Sequence, residues 1–202
     1  MVLAMMASVI IMLAVAILAT RGQKSWADTY ERNNSDFQVE TIAATTALGA
    51  FGRRANKTDY RLYARVDDNF YRAVPDSEPD EVVIGNALEL RYWDTELSDE
   101  IMTITKTATA YVLFYLDDGD FKTDYGPYPP GAIDAAGNRI TGDDVTTLTL
   151  IRNVTNVEFS HTAQNMAGDG KGCIRMKLTA QDTSSGESKV ILAATLMRNI
   201  WP

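Results

Sequence analysis

The sequence predicts an α+β protein in which one long N-terminal helix, apolar in its first half, packs on a C-terminal antiparallel β-sheet. Three observations predict it. Residues 1–20 carry no charge, and Ser8 and Thr20 are their only polar side chains. Residues 24–55 continue a helical apolar periodicity without a proline. Beyond residue 80, segments rich in β-branched and aromatic residues alternate with turn formers.

Composition narrows function before any motif does. A chain of 202 residues, 46% hydrophobic and 23% charged, suits one domain with a substantial core. Lys and Arg number 19 against 27 Asp and Glu, for a net charge of −8. With no basic run to meet phosphates, nucleic acid is not an expected partner. Cys173 is the single cysteine and His161 the single histidine. An internal disulfide, a multi-thiolate metal site and a paired-histidine zinc motif are therefore all excluded.

Residues 1–23 form the first expected region, an apolar transmembrane or filament-core helix. Twenty residues at about 1.5 Å each span roughly 30 Å, the thickness of a bilayer core. Its apolar side chains, Val2, Leu3, Met5, Met6, Val9, Ile10, Ile11, Leu13, Val15, Ile17 and Leu18, are the expected assembly residues. The segment reads as a cleaved secretory signal, a plain single-span anchor, or a helix whose basic leader has been removed from its N-terminal side. The last accounts most simply for the missing flanking charge, and is the expectation.

Residues 24–55 are the expected amphipathic continuation. Trp26, Tyr30, Phe37, Ala44, Leu48, Phe51 and Ala55 recur at helical spacing and make one stripe. Thr, Asn and Ser fill much of the remainder, so this helix needs packing to hold it. Phe37, Leu48 and Phe51 should pack on the sheet's inner face, supplied in part by Leu148, Leu150, Ile174, Met176 and Leu178.

Residues 56–202 are the expected globular β-rich domain. Residues 56–80 place Tyr60, Leu62, Tyr63, Phe70 and Tyr71 among many charges and end in Pro75 and Pro79, which predicts an irregular connection. Residues 81–93 and 107–116 predict strands, and 117–144, rich in Asp, Gly and Pro, a long loop. Residues 145–160, 172–181 and 189–199 predict further strands, the last two joined as a hairpin through a turn at 182–186.

The apolar start MVLAMMASVIIMLAVAIL, the helix exit TTALGAFGRRANKTDYRLY and the closing phrases LTLIRNVTNVEFS, IRMKLTAQD and ATLMRN together resemble the type IV pilin superfamily. Within it the likeness is to minor pilins and type II secretion pseudopilins. Residues 1–7 depart from that pattern, with neither the phenylalanine nor the glutamate that the family carries there. The resemblance implies a pilin-like fold and a structural, non-enzymatic subunit of a pilus or pseudopilus. It also implies residence in the inner membrane before assembly, then in an extracellular or periplasmic filament. The implied partners are other copies of the chain or related pilins, and the platform proteins of an ATPase-driven assembly machine. No cofactor is implied. The alternative reading is a monomeric single-span membrane-anchored module that binds a ligand through loops of the β-domain.

Candidate chemistry has plain structural readings beside it. His161 has no accompanying nucleophile motif. Cys173 reads as a small buried apolar residue on a strand. Asp117, Asp118, Asp120 and Asp124 crowd one segment and Asp143 and Asp144 another. Some pseudopilins that this chain resembles bind Ca²⁺ in such loops, yet the spacing here does not match an EF-hand and predicts an acidic, solvated loop. Tyr125, Tyr128, Pro129 and Pro130 read as loop packing. No catalytic, cofactor or metal residue is assigned.

Trp26 and Tyr30 lie on the apolar stripe upstream of the residues expected to meet the sheet, and are the expected subunit contact. Replacing both with Ser should leave the melting temperature nearly unchanged while sharply reducing assembly. A normal polymer with an early-melting domain would assign them to the subunit's own core.

Overall fold

The computed structural model describes residues 36–67, 69–75, 82–94, 108–162, 172–181 and 186–197, together with the helical residues Arg21 and Lys24. The chain divides into two compact units, residues 1–39 and 40–202. The expected assembly residues Val2 to Leu18, and Trp26 and Tyr30, lie outside the described residues. Among the described residues no helix is long and apolar enough to cross a membrane.

One helix, α1 (Asp36–Arg54), runs without an intervening loop into β1 (Ala55–Asp67). There follow β2 (Phe70–Ala73), β3 (Val82–Gly85), β4 (Ala87–Tyr92), β5 (Ala110–Asp117) and β6 (Asp120–Pro127). The chain closes with β7 (Thr146–Ile151), β8 (Val154–Thr162), β9 (Cys173–Gln181) and β10 (Ser188–Leu196). These strands make a six-stranded antiparallel sheet in the order β2-β1-β4-β5-β6-β7 and a four-stranded one in the order β10-β9-β8-β3.

The expected α+β architecture, one long helix on one sheet, is therefore corrected. The described fold is dominated by two packed β-sheets, and its helix is 19 residues long. Two segments account for the difference. Residues 56–80, expected to be irregular, contain β1 and β2. Along β1, Tyr60, Leu62 and Ala64 alternate with Arg61, Tyr63 and Arg65, the period of a strand, although the density of charge disguises it. Within the expected loop, Asp118-Gly119 is a two-residue hairpin turn that returns the chain as β6. Asp118 has φ 51° and Gly119 φ 76°, the paired positive values that such a turn requires and that an Asp-Gly dipeptide supplies.

Residues 145–160 also divide, at Arg152 and Asn153. Asn153 adopts φ 57°, and the chain leaves the large sheet at β7 to enter the small one at β8. The anticipated closing hairpin appears as β9 and β10, paired continuously from Cys173↔Leu196 to Gln181↔Ser188.

The sheets pack face to face. Phe114 stacks on Phe121 at 6.1 Å between ring centroids, and Phe159 of the small sheet lies 6.5 Å from Phe114 and 6.3 Å from Phe121. Helix α1 adds Leu48, which is buried, and Phe51, which meets Tyr92 at 5.5 Å and Phe114 at 6.3 Å. Ile174, Met176 and Leu178 are buried as anticipated, but Leu148 is exposed and Leu150 only half-buried. Arg54, in the basic last turn of the helix, sits 4.7 Å above the Tyr92 ring and bridges to Asp94 at 3.3 Å, where a cation also complements the helix dipole.

Gly52 sets how closely the helix approaches the small sheet. A Cβ at this position would overlap the Oγ1 and Cγ2 atoms of Thr195. Gly52→Ala should therefore destabilise the domain by about 1–3 kcal/mol, the usual cost of overpacking, despite Ala being the better helix former. Leu48→Asp, which buries an unpaired charge, should cost more. Chemical denaturation of the two variants checks both, and an unchanged midpoint for Gly52→Ala would refute the close approach.

Candidate functional site

Two kinds of place in a fold perform function: clustered polar side chains and exposed surfaces shaped for a partner. In this protein the polar cluster lies on the side of the large sheet that faces away from the small one. Cross-strand register puts Arg61, Glu89, Leu113, Asp124 and Thr147 in one row across five strands. Tyr63, Tyr71, Ala87, Tyr111, Leu113 and Tyr115 form an apolar layer about that row, covered by Ala132, Tyr128 and Ile133 from the segment between β6 and β7. Strands β4 and β5 are thus enclosed on both faces.

Each acidic residue of the row is the centre of a closed set of partners. Glu89, 1% exposed, accepts hydrogen bonds from the Tyr63 hydroxyl at 2.6 Å and from Arg91 Nε at 2.8 Å. Arg91 also donates to Asp59 at 2.7 Å and to the Tyr128 hydroxyl at 3.0 Å, with its guanidinium 4.5 Å above the Tyr128 ring. Asp124, also 1% exposed, accepts from Tyr115 at 2.9 Å, Arg139 at 2.8 Å and Thr147 at 2.6 Å. Arg139 donates in turn to the Tyr115 hydroxyl at 2.6 Å.

Burial opposes the charge on both arginines, but their carboxylate partners outweigh it and hold each guanidinium above its ordinary pKa. Two carboxylates two strands apart stand about 10 Å from each other. Asp124 tethers the covering segment to the sheet through Arg139, and Glu89 does so indirectly, by holding Arg91, which donates to the Tyr128 hydroxyl.

The remaining sequence candidates fall in separate places. His161 is buried at the junction of the sheets, its Nδ1 2.8 Å from the Tyr60 hydroxyl and its ring edge-on to Tyr60 at 5.3 Å. Cys173, expected to be buried, is exposed at the start of β9, because the alternation of that strand turns it outward. Asp117 is held below its ordinary carboxylate pKa, chiefly by a 2.9 Å hydrogen bond from Lys122 across the hairpin. Among the described residues no group of side chains is arranged to hold a metal ion. A cavity of about 400 Å³ is lined by Arg65, Asp67, Tyr71, Asn86, Leu116 and Asn156.

The exposed apolar side chains are the second feature. Ile42, one of them, is 64% exposed on α1, and Val39 is exposed one turn earlier. Val190, Leu192 and Leu196 project from the edge strand β10, and Val82 and Ile84 from β3 at the opposite edge of the same sheet. Sequence reasoning named none of these residues. KVILAATL is an almost continuous apolar run, so the sequence carried no signal for which of its side chains the strand turns outward. In comparisons with known families, curated proteins and solved structures, nothing matches this chain.

The buried tyrosines on both faces of the large sheet have a pH consequence. Burial raises the Tyr92 and Tyr111 phenols from 10.0 to about 12, with nearby carboxylates adding to the shift. The phenols of Tyr63, Tyr71 and Tyr115 move in the same direction, again mainly through burial. A phenol raised in the folded state stabilises the fold fully below its unfolded pKa, and that contribution is lost as pH climbs through the folded value. The melting temperature should therefore fall from about pH 10 upward, and phenolate absorbance should appear together with unfolding. Full titration of all the tyrosines near pH 10 with the fold intact would refute this.

Proposed function

We propose that the chain is a structural subunit of a type IV pilus-like or type II secretion pseudopilus-like filament. In this reading residues 1–23 sit in the inner membrane before assembly and in the filament core afterwards. The observation that carries the proposal is the uncharged run of residues 1–20 upstream of a helix that joins the β-rich head without a loop. An all-apolar segment has to be surrounded by lipid or by other helices. Exchanging one for the other gains little, because lipid tails are as apolar as leucine. Assembly therefore needs an external machine, a platform of other proteins, to extract the segment.

The alternative, a monomeric anchored module, draws on the cavity beside Tyr71. In that cavity Arg65 already hydrogen-bonds the Leu116 carbonyl and lies 3.9 Å from Asp117.

Full-length chain in detergent should form filaments visible by negative stain when the detergent is removed. It should also be found by mass spectrometry in material sheared from the surface of cells that make it, or in their periplasmic filaments. Chain that stays in membranes as a monomer would favour the anchored module. A full-length monomer in plain buffer would overturn both readings.

A further inference from the structure

The four-stranded sheet has two unlike faces. Its inner face is closed by Phe159, Ile174, Met176 and Leu178. The outer face carries five of the ten large apolar side chains exposed among the described residues, with Leu192 at 74%. They lie along the two edges, on β10 and β3. Between those edges the outward row of β9 presents Cys173, Arg175 and Lys177 to solvent. Register places Arg175 between Ala194 and Ser160, and Lys177 between Leu192 and Glu158. Neither cation forms an ion pair among the described residues.

The face is apolar at its edges, and its two central strands carry the cations Arg175 and Lys177 against a single acid, Glu158; on a chain of net charge −8 it is complementary to an acidic surface of another copy. The segment between β6 and β7 covers the far face of the large sheet, where Asp143 and Asp144 are exposed and the Asp144 carbonyl lies over Gly126. Because the sheets pack through Phe114, Phe121 and Phe159, these two surfaces look in opposite directions.

The geometry points to a head-to-tail contact between copies of this chain: the outer face of the four-stranded sheet of one copy seats on the Asp143–Asp144 face of the next. Contact between two different surfaces does not close as a two-fold dimer does, and it propagates as an open array when the rotation allows. The contact rests on the filament reading and names where the heads meet. The apolar edges supply the buried area, and the basic row sets the register and excludes uncharged partners.

The single cysteine makes the contact testable on the full-length chain. Cys173 is labelled with a photoactivatable maleimide, detergent is removed, and cross-linked peptides are read by mass spectrometry. Cross-links from Cys173 to the segment around Asp143 and Asp144 of a second copy are expected. Arg175→Glu with Lys177→Glu should leave the domain folded, with only a small drop in melting temperature from the new Glu pair at positions 158 and 177, and weaken association by about tenfold or more, through like-charge repulsion. Adding Asp143→Lys with Asp144→Lys should restore association.

Filaments whose Cys173 cross-links lead elsewhere, or whose assembly ignores the charge reversal, would overturn this contact and leave the filament reading standing. Salt-sensitive cross-linked oligomers without filaments would support the contact and remove the filament reading. A chain that does not self-associate at any concentration would overturn both.

Discussion

The structure depends on a central strand pair, β4 and β5, enclosed on both of its faces. On the inner side the enclosure is aromatic: Phe114 meets Phe121, Phe159 and Phe51, joining the two sheets and the helix at one point. On the outer side the same strands carry Glu89, Arg91 and Tyr115, all buried. A buried polar group must bring its partner with it. Each carboxylate accordingly holds one arginine and one tyrosine hydroxyl. Arg91 comes from the sheet itself and Arg139 from the covering segment, so the segment between β6 and β7 is anchored by charge where the helix is anchored by rings.

This division of labour explains why chemistry-bearing residues are scarce at the surface. Glu89, Asp124 and His161 are all engaged inside the fold. Among the described residues left outside are Ile42 on the helix, the apolar edges of the small sheet, Arg175 and Lys177 between them, and Asp143 and Asp144 on the covering segment. Those are the means by which a protein holds other macromolecules. A filament reading uses them, since a subunit in an array has to cover surface that a monomer leaves wet.

The helix and the head are one mechanical piece over residues 40–54. Gly52 lets the backbone approach β10, Leu48 and Phe51 reach the core, and Arg54 is bound at Asp94. Glu40, nearly four turns before Arg54, accepts a hydrogen bond from the Arg152 backbone amide at 3.1 Å. This bond ties the helix to the corner between β7 and β8, where the chain passes from one sheet to the other.

Local pattern determined much of this. The charge-free run, the helical stripe reaching Leu48 and Phe51, and the β9–β10 hairpin were legible because each depends on residues close in sequence. The Asp118-Gly119 turn carried an equally local signal, masked by the proline-rich stretch after it. Strand β1 was masked by the charges among its aromatics, which suggested an irregular connection, while Tyr63 between Arg61 and Arg65 is buried against Glu89. Two facts were decided by tertiary structure alone. The large sheet is covered on both sides, and the outer face of the small sheet is left apolar and basic. Neither leaves a local trace, because whether a given face of a strand meets solvent depends on segments tens of residues away, and burial follows the space they leave rather than the pattern of the strand itself.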